Sequence, residues 1–222
     1  MNIVIVTGIT SGLGRSLHDY LVEHWAGYKI FLSREEYSGN DDRSYIKQNY
    51  KVFDFEAINS HIIGNIENII FINNASTIYP IKKSMEISMD DFQDSINVNY
   101  KFPAALASML AMKAQSLKCR LLIFNITSGA ANRAVDGWVA YCSTKSAIKM
   151  VFEVMALEYD HVDCVHYDPG VMDTPMQEYI RNVKPSEMKD VSRYLDYKDD
   201  KVLKDPKDVA TDVMFEVTKF LS

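Results

Sequence analysis

Asn2-Ile-Val-Ile-Val-Thr7 runs straight into Gly8-Ile-Thr-Ser-Gly12-Leu-Gly14 and then into a helical pattern. A short β-branched run of this kind reads as a strand buried on both faces, as strands of a parallel sheet covered by helices are. Glycine at 8, 12 and 14 lets the backbone turn tightly and approach a pyrophosphate, whose charge the N–H groups and dipole of the helix start stabilise. Strand, loop and helix in this order point to a dinucleotide site, with Gly8, Thr10, Ser11, Gly12, Leu13 and Gly14 as candidate contacts. The spacing is G-x-x-x-G-x-G, not G-x-G-x-x-G.

Five more apolar runs have strand character: Lys29 to Ser33, Lys51 to Asp54, Asn68 to Asn73, Leu121 to Ile126 and Asp163 to Tyr167. Helical patterns separate them: a short one around Ala57 to Ile63, a long one from the cap Ser88 to about Lys113, one following Tyr141, and one over Pro206 to Leu221. Strands alternating with helices give an α/β fold, a Rossmann-type doubly wound parallel sheet with helices on both faces. At 222 residues the chain fits a single domain. Six strands are expected, and a seventh is open because no Gly-rich strand follows the last helix. The stretch Glu35 to Tyr50 is polar and aperiodic and reads as surface loop.

The second strand ends in Ser33-Arg34, about 20 residues past the loop, where an acidic residue would take the ribose 2′-hydroxyl of NAD. A guanidinium there suits a 2′-phosphate, so Arg34 predicts NADP(H). The alternative is that Arg34 is only a solvated strand end and that Glu35 serves NAD(H). Asp54, at the end of the expected third strand, offers a carboxylate to an adenine amine, with Phe55 beside it. Asn74, Ala75 and Ser76 follow the fourth strand and either pass close to the nicotinamide ribose or lock neighbouring strands together. Pro169 and Gly170 stop the sixth, leaving backbone N–H groups from Val171 to Thr174 to meet a carboxamide.

Tyr141 and Lys145 stand four apart at the start of a helical run, so the phenol and the ammonium share a face. A tyrosine titrates near pH 10, and a nearby ammonium favours its phenolate. Lowering the phenol by roughly 3 units takes about 4 kcal/mol. Taken alone, Tyr-x-x-x-Lys is as easily a turn of surface helix. Ser128, at the carboxyl end of the fifth strand, and the glycine loop favour a catalytic role. Asn99 lies in mid-helix ahead of Pro103, whose ring kinks the turn before it and frees a carbonyl that can hold a water.

A net charge of −6 argues against a nucleic-acid partner, and the absence of a long apolar run or a basic leader predicts a cytoplasmic protein without a membrane anchor. Cys119, Cys142 and Cys164 lack metal-ligand spacing and read as free thiols; the five histidines are scattered, and no metal site is expected. The charged segment 176–201 is expected to form a substrate lid; a plain amphipathic helix pair on the surface is the alternative. Trp138, Met172, Met176 and Tyr179 are candidates for the pocket wall, or for core.

Thr7-Gly8-x-x-x-Gly12-x-Gly14, Asn73-Asn74-Ala75, Asn99, Ser128, Tyr141-x-x-x-Lys145 and Pro169-Gly170, in this order and spacing, resemble the short-chain dehydrogenase/reductase family in its compact single-domain branch. The resemblance covers nearly the whole chain. It implies a nicotinamide cofactor and a catalytic set falling on Asn99, Ser128, Tyr141 and Lys145. Within the family, Gly137-Trp138-x-x-Tyr141-Cys142 and Pro169-Gly-Val-Met-Asp173-Thr-Pro-Met-Gln177 are most similar to the benzil reductase and sepiapterin reductase group. That similarity implies NADPH-dependent reduction of a small-molecule carbonyl. Ser76 departs from the family's usual glycine, and Ser11 stands where many NADP-users carry a basic residue. An NAD-dependent alcohol dehydrogenase and a nucleotide-sensing regulator without chemistry remain the alternatives. A homodimer or homotetramer is expected.

Overall fold

A computed structural model describes residues 1–34 and 45–221. Along the chain run β1 (Asn2–Thr7), α1 (Gly12–His24), β2 (Tyr28–Ser33), β3 (Tyr45–Lys47), α2 (Glu56–His61), β4 (Asn68–Asn73) and α3 (Met89–Ile96). Then follow α4 (Phe102–Leu117), β5 (Arg120–Ile126), α5 (Val139–Glu158), β6 (Val162–Tyr167), α6 (Pro175–Arg181), α7 (Val191–Asp199) and α8 (Pro206–Leu221). The six strands form one parallel sheet in the order β3-β2-β1-β4-β5-β6. The order reverses between β1 and β4, and at that switch point the carboxyl ends of the strands open a crevice.

Successive strand residues point to opposite faces, so each central strand feeds two cores. Ile3, Ile5, Ile69, Phe71, Leu121 and Ile123 pack with Phe102, Leu106 and Leu110 of α4 and with Ile148 and Phe152 of α5. Val4, Val6, Ile70, Ile72, Leu122 and Phe124 meet Leu13, Leu17 and Leu21 of α1 and Val209, Val213 and Val217 of α8. The all-apolar strand sequences are thus explained by helices on both sides.

The third strand is not where the sequence places it. Tyr45–Lys47 pairs with Phe31–Ser33 of β2, so the strand lies within the stretch read as loop; of that stretch, residues 35–44, including Glu35, lie outside the described residues. Lys51 to Asp54 is irregular. Its alternation has another origin: Val52 is 73% exposed, Lys51 pairs with Asp94 at 2.7 Å, and Phe53 packs against Phe55 and Phe102. An aromatic cluster over α4 mimics a strand's period.

The long helix from Ser88 is interrupted. Ser88 caps it by accepting from the Asp91 N–H at 3.1 Å, but Asn97–Lys101 forms a π-turn between α3 and α4. Pro103 follows at the first turn of α4; its missing N–H and bulky ring suit it to a helix start. Segment 176–201 is a helix pair with one buried face: Ile180, Met188 and Tyr194 join Ile78, Ile81, Trp138 and Tyr141 in a third apolar cluster.

Candidate active site

The loop after β1 is held from the side. Thr7 Oγ1 accepts from the backbone N–H groups of Asn74 (3.1 Å) and Ala75 (2.9 Å). Asn74 Nδ2 donates to the Thr7 and Gly8 carbonyls at 3.0 and 3.1 Å. Asn74 therefore locks β4 to β1, the second of the two roles open to it in the sequence. Close approach makes glycine necessary: a Cβ on Gly14 would stand 1.9 Å from the Gly8 carbonyl oxygen, and one on Gly8 2.8 Å from the Ala75 Cα.

At the start of α1, Ser11 makes no side-chain cap bond and no acidic residue occupies the first turn. The first N–H groups of a helix have no partner within it, and among the described residues no side chain competes for them here. A glycine cradle facing an uncapped helix start fits a pyrophosphate.

A cleft of about 320 Å³ runs from this loop along the strand ends, within the size range of small-ligand pockets. Gly8, Thr10, Ser11, Gly12, Leu13, Gly14 and Arg34 line one end; Asn74, Ala75, Ser76, Ser128, Tyr141, Lys145, Pro169, Gly170, Val171 and Thr174 line the rest. Asp54 and Phe55 do not reach it. Asp54 accepts from the Glu56 N–H at 3.0 Å and so starts α2, and Phe55 turns into the aromatic cluster. Tyr50 lines the cleft instead, stacked on Phe102 at 4.2 Å. No periodicity in the loop singled it out.

Tyr141 is 6% exposed and Lys145 4%. The Ser128 and Ser76 hydroxyls both face the Tyr141 hydroxyl. Burial pushes the phenol up to about 12, and the two serine hydroxyls only partly offset this. Burial likewise brings Lys145 down to about 8, with the Asp168 carboxylate opposing. The lowering of the phenol expected from Lys145 is not seen in the protein alone: the ammonium donates to the Ile126 carbonyl at 3.0 Å and lies 5.7 Å from the centre of the phenol ring. It is drawn toward the end of β5, and in the protein alone desolvation outweighs it. A raised pKa keeps the tyrosine in its phenol form, which proton donation requires.

These shifts set a pH dependence. Unfolded, Lys145 binds its proton up to about pH 10.5; folded, only up to about pH 8. Its burial cost is thus fully present below about pH 8 and is relieved as the pH rises to about 10.5. Chemical denaturation of the cofactor-free protein should show Lys145→Met more stable than the parent by about 3 kcal/mol at neutral pH, the gap closing across that window. A gap that is constant with pH would mean that Lys145 is not desolvated. Tyr141 acts in the opposite sense and higher, its contribution being lost between about pH 10 and about 12.

Asn99, 2% exposed, lies behind the cleft in the π-turn. Its Oδ1 accepts from Ser76 Oγ (3.2 Å) and the Thr77 N–H (2.8 Å), and its Nδ2 donates to the Thr77 carbonyl (2.8 Å) and Thr144 Oγ1 (3.1 Å). The side chain therefore clamps the chain after β4 to α5. Ser76 bonds to Asn99 and faces Tyr141, a link that its place in the usual glycine position did not announce. Thr174 caps α6 by accepting from the Gln177 N–H at 3.5 Å, and its side chain lies 3.0 Å from the position of a Gly12 Cβ.

Trp138, Met172 and Met176 line the cleft, as do Gln177, Ile180 and Tyr194 of the segment expected to cover the substrate, and Arg133, which nothing in the sequence singled out. Tyr179 does not: it is 38% exposed and its ring faces Tyr79 at 6.1 Å. Cys142 packs against the third cluster. Among the described residues no His, Cys, Asp or Glu cluster is placed to hold a metal ion, and no helix is long and apolar enough to cross a membrane.

The family model described as short chain dehydrogenase matches residues 2–185. A benzil reductase ((S)-benzoin forming) from Bacillus cereus is 30% identical, over 95% of this chain and 91% of the relative. Sepiapterin reductase from Xenopus laevis is 34% identical over 52% of this chain and 45% of its own. Among solved structures, a short chain dehydrogenase/reductase from Saccharomyces cerevisiae superimposes with a TM-score of 0.80 at 22% identity, covering 93% of this chain and 86% of that one.

Proposed function

Because the chain belongs to the short chain dehydrogenase family of oxidoreductases, we propose that it reduces a ketone or diketone carbonyl to an alcohol with NADPH. The observation that carries this reading is the meeting of the Tyr141 and Ser128 hydroxyls at one end of a cleft whose other end is the glycine cradle. A bound dihydronicotinamide supplies the hydride that adds to the carbonyl carbon. Tyr141 donates its phenol proton to the carbonyl oxygen, which takes up the electron pair of the broken C=O π bond. Ser128 donates a hydrogen bond to the same oxygen and so orients it; holding the carbonyl in line is worth much of the rate. Lys145, fixed by the Ile126 carbonyl, takes the ribose hydroxyls. The relative named for reduction of benzil to (S)-benzoin supports a diketone substrate.

Consumption of NADPH with a panel of diketones tests the reading; a protein that binds the cofactor yet turns over none of them overturns it. Arg34 lines the cleft beside Ser33 and is assigned the 2′-phosphate. Arg34→Ala should therefore raise KM for NADPH about 10- to 100-fold, the loss of a charge-assisted contact, with KM for NADH little changed. Equal effects on both cofactors would take Arg34 away from the phosphate.

A further inference from the structure

Arg133 is an exposed cation on the wall of the cleft. Its guanidinium lies against the backbone next to Ser128: a Cβ on Gly129 would stand 3.4 Å from Arg133 Nε and 3.6 Å from its terminal nitrogen. An exposed arginine is ordinary, but this one has no carboxylate within ion-pair distance among the described residues. Its neighbours do: Lys83 pairs with Asp136 at 2.5 Å and Lys149 with Glu153 at 3.6 Å. A chain of net charge −6 has carboxylates to spare, so a cation left unpaired in a cleft is notable.

Two further donors share that wall. Tyr194 of α7 is 8% exposed and lines the same cleft, and among the described residues its hydroxyl makes no hydrogen bond. Trp138 is 6% exposed, and its indole N–H is buried with no partner. A buried donor left unpaired is costly and therefore uncommon. Around them the wall is apolar, formed by Ile78, Met176 and Ile180. Arg34, the guanidinium assigned to the cofactor, sits at the opposite end of the cleft, by the glycine loop.

We propose that the substrate is an apolar or aromatic ketone bearing a carboxylate next to the reducible carbonyl, that is, a 2-oxo acid. Arg133 pairs with the carboxylate through two parallel N–H···O bonds, and the Tyr194 hydroxyl adds a third donor. A planar guanidinium matches a carboxylate in this way. With the acid held beside Gly129, the adjacent ketone lies at Ser128 and Tyr141. The inference rests on the carbonyl-reductase reading of the same site: hydride and proton add across the ketone as before, and the product is a 2-hydroxy acid.

The test compares phenylglyoxylate with its methyl ester, a pair that differs in charge but not in the ketone. Binding is read by quenching of tryptophan fluorescence with oxidised NADP present, and turnover by NADPH consumption. Wild type should bind the acid at least about 10-fold more tightly than the ester, and this preference should fall with added salt. Arg133→Met should weaken acid binding about 10- to 100-fold while leaving the ester within about twofold, and Arg133→Lys should restore part of the loss. Equal affinity for acid and ester, or an Arg133→Met effect shared by both, overturns the assignment. If neither compound is turned over but the Arg133-dependent preference persists, the carboxylate site stands and the reductase reading fails. If the ester alone is bound and reduced, the reverse holds.

Discussion

Tyr141→Phe is expected to lower kcat for a diketone by about 10²- to 10⁴-fold, the usual worth of a positioned general acid, with NADPH affinity nearly unchanged. The replacement removes one oxygen and leaves the ring that packs edge-on against Trp138 at 5.6 Å. The hydroxyls that face it keep their own bonds: Ser128 Oγ still accepts from the Ala130 N–H at 3.2 Å, and Ser76 still donates to Asn99. The fold should therefore lose only about 1 kcal/mol. Steady-state rates paired with a cofactor titration separate the two effects, because a residue acting only in the transition state changes kcat and kcat/KM together. Turnover within tenfold of the parent would remove Tyr141 from proton donation. So would an equal loss of NADPH binding, which would make the phenol a cofactor contact.

Gly14→Ala should be the most damaging added methyl group among the described glycines. The added carbon would stand 1.9 Å from the Gly8 carbonyl and 2.5 Å from Asn74 Nδ2, against both the cradle and the amide that braces it. Neither is the loose end of a flexible side chain. The loop must move away from α1, at a cost of about 3 kcal/mol or more, and NADPH binding should be lost with it. Gly64→Ala is the matched control. Gly64 has φ +93° but nothing within 4 Å of a Cβ, so its cost is left-handed strain alone, about 1–2 kcal/mol, with cofactor affinity intact. Urea denaturation and cofactor titration of the two variants should therefore separate widely. A Gly14→Ala protein as stable as the control, and still binding NADPH, would show that the loop is not packed against α1 as described.

Periodicity made most of the fold legible. The runs Ile3–Val6, Ile69–Ile72 and Leu121–Phe124 are apolar throughout because helices cover both faces, and that requirement is written in each strand separately. The third strand was not legible: an edge strand of three residues, Tyr45–Lys47, buries too little to leave a period, while the Phe53–Phe55 cluster leaves a false one. The π-turn at Asn97–Lys101 fell where a kink was expected, since Pro103 marks it.

By itself the sequence determined the cradle and the side chains that the proposed chemistry uses, because the spacing of Gly8, Gly12 and Gly14, and of Tyr141 and Lys145, expresses local backbone geometry that no distant residue can replace. Only the tertiary structure decided how those groups are tuned. Tyr141 is raised and Lys145 lowered because strands and helices far apart in the chain exclude water from both. Arg133, Tyr194 and Trp138 become one wall only when α7 folds back over the strand ends. Desolvation and the walls of a cleft depend on the whole packed surface, and short-range spacing carries no record of them.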